Sequence, residues 1–334
     1  MSRLTRQIVP LARWTEEAGK FWTGSVDLGR LSPYAMESAL KVAVVQSGGC
    51  GPSVPENLAA LAVLVQQASH NSRDLVLLPE LCTTPYFASG PFDPEAQKWA
   101  EPVDGPTTKF FSDIARKTST ALAFGMAERG VDGIVYNSLV LLDSRGDLVE
   151  GVGPHGERYQ TFRKLTAPSV FSGDLRVDEA AYCKPGPSPM TFDLDGVRLG
   201  ALICYDRAFS EVWLANRHLG AQVVIAAVSS FGWRESLFVD DLRLRAMEVG
   251  VFVIAANRAG LENHRGHVTD YFGRSCIIAP SGEVLAEAKA HQQPEIISAE
   301  LKLSELDKAR SLWPVWNDRR PDLYRFMYDS PAAE

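Results

Sequence analysis

The chain has 334 residues, 46% of them apolar and 22% charged, and 34 basic against 41 acidic residues leave a net charge of −7. That length allows one large domain or two ordinary ones with a sizeable core, and the acidic balance argues against a dominant nucleic-acid-binding surface. No apolar run approaches the ~20 residues of a membrane span. The opening segment MSRLTRQIVPLARWTEEAGK has arginines but no long apolar stretch, so it reads as neither a secretory signal nor a transit peptide. A cytoplasmic protein is expected.

Residues 1–40 show weak periodicity and read as an appended arm, with 41–334 as the main domain. KVAVVQ (41–46) reads as a buried strand, and Glu56–Ala68 as an amphipathic helix. DLVLLPE (74–80) is a second buried strand, 107–117 a helix, and 121–128 and 138–143 strands. Residues 144–190, rich in Gly, Pro and charge, read as long loops, which in a compact protein point to function. Asp195–Gly196 between apolar runs marks a hairpin over 190–204. A helix over 209–219, a strand over 222–229, a helix over 237–249 and a strand over 251–257 follow. A hairpin over 275–288, turning at Pro280–Gly282, precedes a strand over 295–301 and a short helix over 304–310. Strand–helix alternation with interspersed hairpins and no linker predicts a mixed α/β layered domain.

Five cysteines at irregular spacing do not form a disulfide framework. Cys50, Cys82, Cys183 and Cys276 fit as buried small apolar residues or unpaired surface thiols. His264 and His267 lack cysteines or carboxylates at finger-like spacing, so neither a metal nor any other cofactor is expected.

Three apolar, strand-like contexts each deliver one reactive side chain: LVLLPE ending at Glu80, FRK ending at Lys164, and LGALICYD with Cys204. A carboxylate, an ammonium and a thiol can together attack a carbonyl or nitrile carbon, shuttle the proton and hold the charge that develops. A strand-to-helix turn at Cys204 is expected to lower the thiol pKa through free backbone N–H groups and the helix dipole.

In these motifs, and in KVAVVQ, GPTTKFF (105–111), YNSLVLLD (136–143), Pro185–Gly186, VFVIAANRAG (251–260), GRSCIIAPSGEVLAEA (273–288) and RRPDLY (319–324), the chain resembles the carbon–nitrogen hydrolases of the nitrilase superfamily. The resemblance runs from about Lys41 to Tyr324 and is to the amidase and N-carbamoyl amidohydrolase branches, because Cys-Tyr-Asp stands where nitrilases usually carry Cys-Trp-Glu. It implies a four-layer α-β-β-α sandwich, with two mixed sheets face to face and helices outside. It also implies that Cys204 is the nucleophile and Glu80 the general base, with a pKa raised by burial. Lys164 and the backbone N–H of Tyr205 would hold the oxyanion. Glu179, in Glu-x-x-Tyr-x-x-Pro-Gly, would be a second acidic site residue, with Asp174 and Asp178 as rivals. Arg207 would grip a substrate carboxylate or else serve as a structural ion pair, and Asn257 and Arg258 would sit on a pocket-lining loop. Thr166 stands where a histidine is common in the family.

The implied substrate is a small amide or N-carbamoyl compound, the implied assembly a homodimer, and Trp313, Trp316 and Tyr324 suit its contacts. Other readings are a nitrilase, or a silent sandwich kept as a binding module. Residues 151–156 formally satisfy GxGxxG but follow charged residues and open no helix, which argues against a dinucleotide site. A papain-like pairing of Cys204 with His264 or His267 leaves Glu80 and Lys164 without roles.

Overall fold

The structure, a computed structural model, describes residues 39–71, 73–172, 175–289 and 291–329. The arm expected over 1–40 therefore lies outside the described residues except for its last two, and so does Asp174. In chain order the strands are β1 (Ala39–Gly48), β2 (Leu75–Leu77), β3 (Ala121–Arg129), β4 (Val135–Leu142), β5 (Gly151–Val152), β6 (Arg158–Tyr159), β7 (Phe162–Arg163), β8 (Ser169–Ser172) and β9 (Leu175–Asp178). They continue as β10 (Thr191–Leu194), β11 (Val197–Ile203), β12 (Val223–Ala227), β13 (Phe252–Ala256), β14 (Arg258–His264), β15 (His267–Phe272), β16 (Cys276–Ile278), β17 (Val284–Glu287) and β18 (Glu295–Lys302). The helices that matter for packing are α1 (Val54–Ala68), α2 (Pro106–Thr118), α3 (Ser210–His218), α4 (Glu235–Val249) and α5 (Ser304–Leu312).

One sheet runs β15-β14-β1-β2-β3-β4-β7, with β18 also on β1; the second runs β17-β16-β13-β12-β11-β10-β5-β6. Both are mixed: β1-β2-β3 and β11-β12-β13 are parallel, and hairpins extend them. The period-2 pattern of β1 explains the layering. Val42 and Val44 pack with Leu199, Ala201 and Ile203 of the other sheet, while Ala43 and Val45 pack with Leu58, Leu61 and Val65 of α1 and Phe111 of α2. Trp213 of α3 and Phe238 and Leu242 of α4 join the core on the far side of the second sheet. The result is the expected α-β-β-α sandwich, in which strands buried on both faces read as continuous apolar runs.

Two expectations change. The strand foreseen over 74–80 stops at Leu77, although Leu78 N still donates to Ala123 O at 2.8 Å. Pro79 has no N–H for the ladder, and Leu81 turns the chain at φ 46°. The β14–β15 hairpin lacked a sequence signal, because its turn is Arg265–Gly266, at φ 51° and 85°, rather than the Asn-Gly or Asp-Gly such turns favour. At 195–196 the favoured Asp-Gly pair does occupy that conformation, at φ 50° and 85°. The described residues of 144–190 hold only strands of two to four residues and one short 3-10 turn, Glu179–Ala181. Residues 151–156 form β5, which lies between β10 and the edge strand β6, and a turn, with no helix following. Among the described residues no helix is long and apolar enough to cross a membrane.

Candidate active site

Three chain ends converge where strands stop: Glu80 three residues beyond β2, Lys164 immediately after β7, and Cys204 immediately after β11. Ligands of open α/β sheets bind at such carboxyl ends. Glu80 and Glu179 are fully buried and Lys164 is 2% exposed. Lys164 Nζ donates to Glu80 Oε1 at 2.8 Å and to Glu179 Oε2 at 2.5 Å. Burial pulls the lysine's pKa down, but the charges of Glu179 and Glu80 outweigh it and hold it well above the usual range. For Glu179 burial dominates and pushes the carboxyl up, against the pull of Lys164.

Two neutral residues complete this cluster, and neither was foreseen. Asn137 Nδ2 donates to Glu80 Oε1 at 2.7 Å and to Glu179 Oε1 at 3.0 Å, and Tyr86 Oη donates to Glu179 Oε2 at 2.9 Å. Asn137 could have been suspected, because it is an amide in an otherwise apolar strand. Tyr86 carried no such mark. Glu80 Oε1 thus receives two donors, while Glu80 Oε2 is buried without a partner among the described residues. Lys164 donates while the structure leaves one carboxylate oxygen free, the arrangement a proton acceptor needs.

Cys204 adopts φ 47°, an unusual conformation for a non-glycine residue and one that marks the turn out of β11. The expected lowering of its thiol pKa is not what the structure shows. Burial, then the charge of Glu80, push it up, against Lys164, Arg207 and the Ser229 backbone N–H. Burial is the main cause, and Cys204 itself opens a five-residue 3-10 turn, Cys204–Ala208, with α3 beginning only at Ser210, so no long helix N-terminus offsets it. The resting group is a thiol that needs a base.

Buried ionic groups hold these pieces in register. Asp206 accepts the backbone N–H groups of Ile203 (3.1 Å), Leu165 (3.3 Å) and Thr166 (2.9 Å), tying the nucleophile turn of one sheet to the lysine loop of the other. Burial pushes its carboxyl up to about 7. Arg163, next to Lys164, is clamped by Glu128, which Ser138 and Thr161 also bond.

The roles implied for Asn257 and Arg258 meet a different geometry. Both are fully buried, and neither lines the cavity. Asn257 accepts the Ser230 N–H and donates to the Ser230 and Gly273 carbonyls. Arg258 pairs with Glu262 and donates to the carbonyls of Glu80 (3.0 Å), Leu81 (2.6 Å) and Thr84 (3.0 Å). It is a clamp on the glutamate loop, placed there because β14 runs beside β1 instead of forming an open loop.

A cavity of about 300 Å3 opens on Cys204, walled by Tyr86, Val170, Val177, Tyr205, Arg207 and Phe231. Arg207 Nη1 donates to Cys204 O at 2.9 Å and lies 3.8 Å from the sulfur, and its Nε stands 3.8 Å from Asp241 Oδ2. Asp178 accepts from Ser169 Oγ at 3.0 Å across the antiparallel β8–β9 pair. His264 faces Asp93 at 3.2 Å and His267 faces Ser89 at 3.1 Å, so neither is placed against Cys204.

The glutamate also depends on a missing side chain. A Cβ added at Gly125 would stand 2.6 Å from Glu80 Cα and from Leu81 N, both backbone atoms that cannot swing aside. Gly125→Ala is expected to displace Glu80, lowering kcat at least tenfold and stability by about 1–3 kcal/mol. Turnover assays and urea unfolding measure the two effects, and an unchanged kcat would show that the close approach does not matter.

A sandwich with a buried carboxylate–ammonium–thiol cluster at its strand ends defines a class of hydrolytic enzymes, and sequence comparison agrees. The sequence model of the carbon-nitrogen hydrolase family matches residues 41–311. The chain is 28% identical to the omega-amidase NIT2 of Homo sapiens, over 83% of this chain and 94% of that protein. It is 31% identical to the deaminated glutathione amidase of Mus musculus, over 82% and 81%. The crystal structure of a carbon-nitrogen hydrolase from Helicobacter pylori superposes with a TM-score of 0.75 at 25% identity, covering 87% of this chain and 99% of that one. The protein belongs to the carbon-nitrogen hydrolase family and is an enzyme of its amidase branch.

Proposed function

We propose that the protein hydrolyses a small linear amide through a thioester on Cys204. The observation that carries this reading is the Glu80–Lys164–Glu179 cluster buried beside a cavity that opens on the thiol. The free Oε2 of Glu80 takes the thiol proton as sulfur attacks the carbonyl carbon. Lys164 and the Tyr205 N–H hold the oxyanion. The C–N bond breaks, Glu80 returns the proton to the departing ammonia, and water, deprotonated by Glu80, then releases the acid and restores the thiol. Glu179, hydrogen-bonded to Lys164, Asn137 and Tyr86, orients the lysine. The amidases among the relatives favour a simple amide over an N-carbamoyl compound.

Residues 41–334 are taken as the catalytic domain, 1–40 as an arm, and the cytoplasm as the compartment. A homodimer is supported by the exposed Leu323, Tyr324, Met327 and Tyr328, which line a cavity of about 680 Å3, and by the exposed Trp313 and Phe326. Trp316 is stacked between Arg217 and Arg319.

The test is ammonia release from amides, N-carbamoyl compounds and nitriles; activity confined to nitriles sinks the amide reading. Arg207 makes it sharper. If its cavity-facing guanidinium holds a substrate carboxylate, Arg207→Lys keeps the charge but loses the planar fork. The expected result is a kcat/KM that falls at least tenfold for an acidic amide and much less for a matched neutral one. Equal losses assign Arg207 only to holding the Cys204 turn.

A further inference from the structure

The 3-10 turn Gly232–Arg234 separates two cavities. Phe231 and Arg234 face the catalytic cavity. Gly232, Glu235 and Ser236 face a second one of about 540 Å3, whose far wall is Arg274, Glu287, Lys289 and His291. Trp233 alone lines both, and this indole is 72% exposed. The partition is low on the second side: Gly232, at φ +78°, has nothing within 4 Å of where a Cβ would point. The wall beyond is already ordered, since Arg274 bonds Glu287 at 2.8 Å and the Glu235 carbonyl at 2.8 Å, and His291 lies 3.2 Å from Glu235.

These features belong together. The catalytic cavity, at about 300 Å3, is at the bottom of the ~300–1,000 Å3 range of small-molecule sites and must also hold the scissile amide. Arg234 lies over the Trp233 ring at 5.9 Å, and the rest of this exposed aromatic residue at the cavity's lip is a surface a flat group can cover. We infer that the second cavity is a subsite for the distal part of the substrate, and that Trp233 is a specificity-determining residue for linear amides carrying an aromatic or similarly flat group beyond the scissile end. This inference rests on the amidase reading for its orientation, with the amide end at Cys204.

The test compares propanamide with an amide extended by a phenylalkyl chain. In turnover, kcat/KM is expected to favour the extended amide at least tenfold, and Trp233→Ala to reduce that ratio about tenfold. Filling the second cavity with Ser236→Phe is expected to reduce the same ratio. Binding is measured separately, by calorimetry on the Cys204→Ala protein, where the extended amide should bind more tightly and the added Trp233→Ala should remove the advantage. Tighter binding without turnover of any amide by the wild type supports the subsite and sinks the amidase reading. Equal binding of both amides, or a ratio untouched by Trp233→Ala, overturns the subsite.

Discussion

Cys204→Ala is expected to abolish turnover while leaving the fold and the oligomer intact. The substitution removes one sulfur whose polar contacts are weak, at 3.8 Å to Ser230 Oγ and 3.8 Å to Arg207 Nη1, so little packing depends on it. Catalysis depends on it entirely in the proposed mechanism, because nothing else lining the cavity is a comparable nucleophile with a base at hand. The thiol is held protonated by burial and by Glu80. Glu80→Gln keeps the shape of the base and relieves its charge on the thiol, yet alkylation of Cys204 is expected to slow, because loss of the proton acceptor outweighs that relief. Peptide-level mass analysis during turnover of a slow amide should find the acyl group on Cys204 and on none of Cys50, Cys82, Cys183 or Cys276, which do not line the cavity. An adduct elsewhere, or turnover surviving in Cys204→Ala, removes the basis for the thioester.

Lys164→Met is expected to damage both activity and stability. The ammonium is the positive partner of two carboxylates that have no access to water. Removing one member of a buried ion pair leaves uncompensated charge and typically costs ~3–5 kcal/mol. Part of that loss is relieved if Glu179 takes up a proton, which its raised pKa already favours. The chemical step should slow by about 10²-fold or more, because the oxyanion loses its cation. The partner variant Glu80→Gln should slow the same step without such a loss of stability. In the double variant the losses should be far from additive, since the residues act as one unit. Rate losses that simply add, together with an unchanged unfolding midpoint, would mean the two side chains are independent. Single-turnover kinetics and urea unfolding, run on all four proteins, provide the comparison.

Much of the architecture was legible because burial on both faces writes itself into composition. Continuous apolar runs such as VVIAA and FVIAA mark central strands, and the Asp195–Gly196 pair marks its hairpin. The catalytic candidates were legible because a charged or reactive side chain closing an apolar strand is conspicuous. Glu179 lay in a stretch without periodicity, and only its resemblance to a family motif singled it out from Asp174 and Asp178. The structure places Glu179 on Lys164, while Asp178 bonds Ser169.

Local sequence determined the central strands and the main helices, because hydrophobic period and turn chemistry act within a few residues, but not the β14–β15 hairpin or the short strands of 144–190. It could not determine which buried polar groups share one solvent-free volume. Asn137 and Tyr86 meet Glu179 across separations of 42 and 93 residues, and Arg258 reaches the Glu80 carbonyl across 178. Arg258 and Asn257, read as substrate-facing, became internal clamps because a hairpin ran alongside β1. The Cys204 thiol, expected to be acidified, is held protonated because the packed core excludes water and only a short turn begins at it. Those outcomes depend on desolvation and on contacts between distant segments, which exist only once the two sheets have closed on each other.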